Sequence, residues 1–272
     1  MYANGARAKY IHINLLQLYK FFFLTAVVFL SINKLYAQGE IQLSPPQAES
    51  PAVYFQQSTC ISFEFRQQGA VIRYTLNDEE PDENSSIYKE PICVSRSVVI
   101  KVKSYATGFI PSSTIGVQCI KTGGAIESIT GSLPDAPYNR NGLDILIDGK
   151  AGVNSFNNDW LGFQKDSLQW KIKFNKKYKP GKIYIGLMQA QSSWIFYPFK
   201  IEIVSSNGKQ LGVKNLTASA TQLPDEKRVF SFSIKKKITG FEIRINNLTS
   251  LPGWHPGKGN KPWLFIDEIS AD

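Results

Sequence analysis

The sequence predicts an all-β chain of two sandwiches, and three observations predict it. After residue 38, apolar and polar residues alternate at the period of a strand, and helical periodicity is nearly absent. Turn-forming pairs such as Pro180-Gly181, Asn207-Gly208 and Pro252-Gly253 punctuate the alternating runs. A Gly-rich stretch, Lys121-Thr122-Gly123-Gly124, divides the chain into a shorter and a longer half and has the character of a linker.

The elements follow in order. Residues 1–20 carry Arg7, Lys9 and Lys20 and no acid; an apolar run of twelve, Phe21 to Ile32, comes next, and the small Ala37 precedes Gln38. This is the pattern of a secretory signal, expected over 1–37. Twelve apolar residues fall short of the roughly 20 that span a bilayer, so membrane attachment is expected only if the segment stays uncleaved. Residues 38–121 hold CISFEF, AVIRYTL, SVVIKVKSYA and STIGVQCI, short strands whose number and spacing suit an immunoglobulin-like sandwich. Residues 125–272 read as a jelly roll. There, Leu168, Trp170, Ile172 and Phe174 share one face of LQWKIKF, and Phe199, Ile201 and Ile203 share one face of FKIEI. KIYIGL, FSFSI and FEIRI alternate in the same way, as antiparallel sheets over one core require.

Composition narrows the function. The full chain carries 31 Lys and Arg against 22 Asp and Glu. Arg7, Lys9, Lys20 and Lys34 fall in the signal segment, leaving 27 basic residues against 22 acids, a net charge of +5. No basic cluster extends beyond Lys235-Lys236-Lys237, so nucleic acid is not an expected partner. Export permits one disulfide among Cys60, Cys93 and Cys119 and leaves one thiol over.

Two stretches carry a family resemblance. In the first half, Tyr74-Thr75, the acidic turn Asn77-Asp78, Glu80-Pro81, Tyr88, Pro91-Ile92 and Gly108 follow one another. This order resembles the small sandwich at the C-terminus of chitobiase and bacterial β-hexosaminidases, with Asn-Asp-Glu where that family has an Asp-Gly turn. In the second half, LIDGKAGVNSFNNDWLGF, GLMQAQSSWIFYPFKIEI and GWHPGKGNKPWLFIDEI are similar to the discoidin-like (coagulation-factor C-type) module that follows it in many family 20 hexosaminidases. Those enzymes carry a (β/α)₈ barrel ahead of both modules. The barrel has no counterpart here, so the resemblance implies the accessory architecture and not the hydrolase activity.

Candidate site residues follow from chemistry and from the resemblance. Asp267-Glu268 superficially matches the adjacent Asp-Glu pair of family 20 hexosaminidases. Neighbouring strand residues point to opposite faces, so the two carboxylates are not expected to flank one bond as glycoside hydrolysis requires, and no catalytic residue is expected. Sugar rings stack their C–H faces on aromatic rings while polar neighbours bond the hydroxyls. Discoidin-like modules bind ligands at loops on one end, which makes Trp160, Trp194, Trp254 and His255 the candidate contacts, with Asn158 and Asp159 as polar neighbours. The same residues serve equally as core caps, and His255 as a loop imidazole bonded to backbone. Trp170 and Trp263 are expected in the core. The resemblance also implies a structural Ca²⁺ held by Asp148 and Glu268, although Asp148 suits a turn equally well.

The expected function is an exported, non-catalytic protein that binds a glycan, such as an amino-sugar polymer or a host glycan, as an auxiliary or adhesion factor. The alternative is a structural or protein-interaction module, a detached hexosaminidase tail that docks on another cell-surface protein.

Overall fold

The computed structural model describes residues 41–49, 54–123, 126–139, 142–152 and 159–272. The expected signal segment and Asn158 lie outside the described residues. The described chain is all-β. Its first sandwich contains β1 (Gln47–Glu49), β2 (Tyr54–Phe55), β3 (Thr59–Glu64), β4 (Val71–Thr75), β5 (Ser86–Ile87), β6 (Ile92–Val94), β7 (Val98–Tyr105) and β8 (Ile115–Lys121). One sheet runs β1-β3-β6 and the other β2-β8-β7-β4-β5, with β2 parallel to β8 and the remaining pairs antiparallel, an immunoglobulin-like arrangement. Alternation sends Ile100 and Val102 of β7, Ile61 and Phe63 of β3, and Val117 and Cys119 of β8 into one core. Cys60 and Cys93 face each other across β3 and β6 and form the disulfide, while Cys119 is the free, buried thiol. The acidic turn keeps its tight path without glycine because Asp78 takes the left-handed conformation, φ 65°, which aspartate tolerates better than most residues.

The second sandwich contains β9 (Ile126–Gly131), β10 (Leu161–Phe163), β11 (Ser167–Tyr178), β12 (Lys182–Gln189), β13 (Lys200–Ser205), β14 (Gln210–Asn215), β15 (Glu226–Ser233), β16 (Ile238–Asn246) and β17 (Leu264–Ala271). A four-stranded sheet, β10-β17-β12-β15, packs on a five-stranded sheet, β14-β13-β16-β11-β9. Leu168, Trp170, Ile172 and Phe174 all enter the core from β11, as their alternation predicts. Removing such a side chain from water contributes about 1.5–3 kcal/mol. Two expectations need correction. Phe199 precedes β13 and is 44% exposed, outside the face of Ile201 and Ile203. Trp263 is only partly buried, because it lies just ahead of β17 and packs on Tyr138 at the core's margin.

The connections sort to opposite ends of this sandwich. Residues 164–166, 190–199, 216–225 and 247–263 cluster at one end, the loop end. The short links 179–181, 206–209 and 234–237 lie at the other, the turn end. Between the two sandwiches, Tyr54 and Ile120 pack on Tyr184. The linker is tied at both sides: the Thr122 amide donates to the Phe55 carbonyl and the Gly123 amide donates to the Ala271 carbonyl.

Candidate functional site

The loop end gathers three of the four candidate sugar contacts. After β12 the chain makes a single 3₁₀ turn, Gln191–Ser193, that Trp194 closes in the left-handed conformation at φ 66°. A bulky residue adopts that backbone only where its surroundings hold it. Here the Trp194 carbonyl accepts from the Trp263 amide, and the indole lies against Gly257, where a β-carbon would come within 2.8 Å of the ring. The residue is nonetheless 37% exposed.

His255 is the brace behind it. Its ring is edge-on to both Trp194 and Phe196, and the residue is buried. Nε2 lies 2.8 Å from the Gln191 carbonyl and Nδ1 accepts from the Gly257 amide, which fixes the tautomer with Nε2–H donating. Trp254 is partly buried and donates its indole N–H to the Ser219 carbonyl, tying the 247–263 loop to the link before β15. Trp160 belongs to a different group. It is 2% exposed, packed with Met188, Ala190, Ile195 and Phe265, and the Lys227 ammonium sits 5.6 Å from its ring centre. Trp160 and His255 are therefore buried, whereas Trp194 is exposed.

Beside this knob lies a recess of about 250 Å³ that the sequence did not reveal. Phe196, Tyr197 and the exposed Phe199 form its aromatic wall, and Gln189, Asn215, Glu226 and Arg228 bring polar groups to it. Arg228 stacks over Tyr197 at 5.4 Å and pairs with Glu226 at 2.6 Å. Gln191 joins recess and knob: its side-chain oxygen accepts from the Leu223 amide, and its carbonyl accepts from His255. A volume below the usual several hundred Å³ of drug-sized pockets suits a single ring-sized ligand group. The residues converge only through three separate connections. The sequence hint was Phe199 and Pro198 standing just outside an otherwise regular strand.

The Asp267-Glu268 pair departs from expectation. Ile185 pairs with Ile269 and Leu187 with Ile266, so two residues of β17 stand opposite the single Gly186 of β12. The extra residue is a β-bulge. Ile266 and Ile269 both enter the core, and the two acids between them both turn to the outer face rather than to opposite ones. The turn at residues 149–152 meets both of them. The Gly152 amide donates to Asp267 at 2.9 Å and the Gly149 amide to Glu268 at 3.1 Å. Asp267 is fully enclosed and paired with Lys227 at 2.5 Å. Burial pushes its carboxyl up, and the Lys227 charge opposes that shift. Burial, with Asp148 and Asp267 adding repulsion, pushes the Glu268 carboxyl up to about 10.

Glu268, Asp148 and Gly149 line a second recess of about 170 Å³, which Gln56 and Thr122 of the first sandwich and linker help to close. The donors there are carboxylates and backbone or side-chain oxygens, a set for a hard cation such as Ca²⁺ and not for a thiolate-seeking metal. No group of three or more His, Cys, Asp or Glu able to hold a metal occurs among the described residues. A cation held by Asp148 and Glu268 would therefore take its remaining ligands from carbonyls or water. Asp148 also accepts from the Lys150 amide in the manner of a turn residue, so both of its expected roles are compatible with one position.

Residues 49–116 match the family model of the chitobiase/beta-hexosaminidase C-terminal domain. No curated protein matches the chain. Among solved structures, the chain is similar to GH31 CBM32-2 bound to GalNAc, with 20% identity, a TM-score of 0.34, and coverage of 53% of this chain and 96% of that one. It is similar to the Clostridium perfringens CpGH89CBM32-4 in complex with glcNAc-alpha-1,4-galactose, at 16% identity and TM-score 0.32, covering 54% of this chain and 90% of that one. A Streptococcus pneumoniae fucose binding module, SpX-3, aligns at 14% identity and TM-score 0.36 over 56% of this chain and 98% of that one.

Proposed function

We propose that this chain is an exported, non-catalytic glycan-binding protein whose sugar contacts lie at the loop end of the second sandwich. The observation that carries the reading is Trp194: a residue held in a left-handed backbone, with its indole against Gly257 and yet 37% exposed. Such a ring is a stacking platform for the C–H face of a pyranose. The recess walled by Phe199 and Tyr197 supplies polar groups for hydroxyls within the same loop cluster. In this reading Trp194 touches sugar, Trp254 and His255 hold it in place, and Trp160 supports the loop end from within. Asp148 and Glu268 would hold a structural Ca²⁺ that fixes the 149–152 turn and supplies no chemistry of its own.

The enclosure of Trp160 and His255 favours a second reading, a structural or protein-docking module. One experiment separates the two. Purified Gln38–Asp272 is applied to a broad panel of neutral and amino-sugar glycans beside folded Trp194→Ala and Phe199→Ala variants. Specific binding that falls about tenfold or more with Trp194→Ala supports the glycan reading. Absence of binding to every glycan overturns it in favour of the docking module.

A further inference from the structure

The turn end carries a feature that no contiguous stretch of sequence displays. β11 pairs with β16 in one sheet, and β12 pairs with β15 in the other. The β11–β12 and β15–β16 connections therefore cross between the sheets side by side, with Tyr178 opposite Ile238 and Lys182 opposite Ser233. The first crossing brings Lys176, Lys177, Lys179 and Lys182, and the second brings Lys235, Lys236 and Lys237. All seven are exposed, and none forms an ion pair among the described residues. Asp272, a carboxylate at this end, is engaged by the Lys182 amide and the Tyr184 hydroxyl. The three consecutive lysines seen in the sequence are thus less than half of the cluster.

Adjacent strands lie about 4.8 Å apart, so the two turns run side by side at a spacing below the Debye length of about 8 Å at physiological salt. Seven unpaired charges that close repel one another and attract a multivalent anion. The neighbouring side chains narrow its chemistry. Tyr178 and Ile238 pack on the core and Pro180 is buried, so no exposed apolar residue on these two turns could insert into a bilayer. No arginine and no exposed aromatic residue accompanies the lysines to read or stack bases.

We propose that the turn end is a second binding site, for a linear anionic polysaccharide bearing sulfate or carboxylate groups, separate from the aromatic site at the loop end. Binding rests on multiple lysine contacts and depends steeply on salt.

Heparin and polygalacturonate serve as probes, with isothermal titration at several salt concentrations. The variant Lys235→Gln/Lys236→Gln/Lys237→Gln is compared with a charge-matched control, Lys89→Gln/Lys165→Gln/Lys258→Gln, whose lysines lie elsewhere. For counterion release from a flexible polyanion, three lost contacts lower the slope of log affinity against log salt by about two. The expected result is that loss for the turn-end variant, an affinity lower by about tenfold or more, and little change for the control. Equal weakening of both variants would reduce the effect to net charge and overturn the site. Tighter binding to vesicles containing phosphatidylserine, or to a single-stranded oligonucleotide, than to either polysaccharide would overturn the assigned ligand class. Trp194→Ala leaves heparin binding unchanged, so failure of the loop-end reading and failure of this one are distinguishable.

Discussion

Gly186 and Asp267 meet across the β12–β17 ladder with no room between them for a side chain. A β-carbon on Gly186 would lie 1.9 Å from Asp267 Oδ1 and 3.2 Å from the Tyr54 hydroxyl. Asp267 cannot swing aside freely, because Lys227 and the Gly152 amide hold its other oxygen. Gly186→Ala is therefore expected to destabilise the protein by about 2–3 kcal/mol, the upper range for overpacking. Urea denaturation measures it as a lower midpoint at unchanged slope. A loss under about 0.5 kcal/mol, typical of neutral surface changes, would mean the bulge relaxes around the methyl group.

His255 and Trp194 are expected to differ in the cost of truncation. His255→Ala removes two hydrogen bonds from a buried site and leaves the Gly257 amide and Gln191 carbonyl without their partner, a cost of about 2 kcal/mol. Trp194→Ala removes a half-open ring and is expected to cost about 1 kcal/mol or less. Thermal melts of the two variants check the order; the reverse would make Trp194 the structural residue.

The Asp148–Glu268 recess predicts a calcium response. Adding Ca²⁺ is expected to raise the melting temperature and EDTA to remove the gain, with Glu268→Gln indifferent to both. At a hundredfold excess over the dissociation constant the stabilisation is about 2.7 kcal/mol. Equal calcium response of wild type and Glu268→Gln would remove Glu268 from the ligand set.

The cysteines should divide sharply in reactivity. Burial pushes the Cys119 thiol up to about 11, so at pH 8 it is almost entirely protonated as well as enclosed. No thiol is expected to react with Ellman's reagent in the native protein, and one per chain after denaturation without reductant. Three after denaturation would mean that Cys60 and Cys93 are not joined.

Much of this fold is legible in the alternation of single residues. Leu168, Trp170, Ile172 and Phe174 announce the buried face of β11, because a strand's side chains have a period of two. The bulge escaped because it depends on Gly186, about eighty residues away. A trace of it is nonetheless present: Leu264, Ile266, Ile269 and Ala271 are all core residues, and the three-residue step from Ile266 to Ile269 breaks the period. The lysine cluster was invisible for a different reason. The β11–β12 and β15–β16 turns become neighbours through strand pairing, and pairing order is not written in local composition. The candidate tryptophans were found as residues but not sorted, since Trp160 and Trp194 differ in exposure through packing against distant chain.

The position of β17 has a consequence for how the protein is made. Leu264–Ala271 forms the last strand in sequence, yet it lies inside its sheet, between β10 and β12. Its partner Leu161 precedes it by about a hundred residues. Until that strand emerges from the ribosome, β10 lacks its neighbour and one edge of β12 stays unpaired. Closure of this sandwich thus waits for the synthesis of β17 and is slow in the manner of non-local β pairing, while the first sandwich holds all its described strands by residue 121 and is free to fold earlier. A nascent chain would pass through a stage with one finished domain and one open sheet, the interval in which a chaperone has the most to protect.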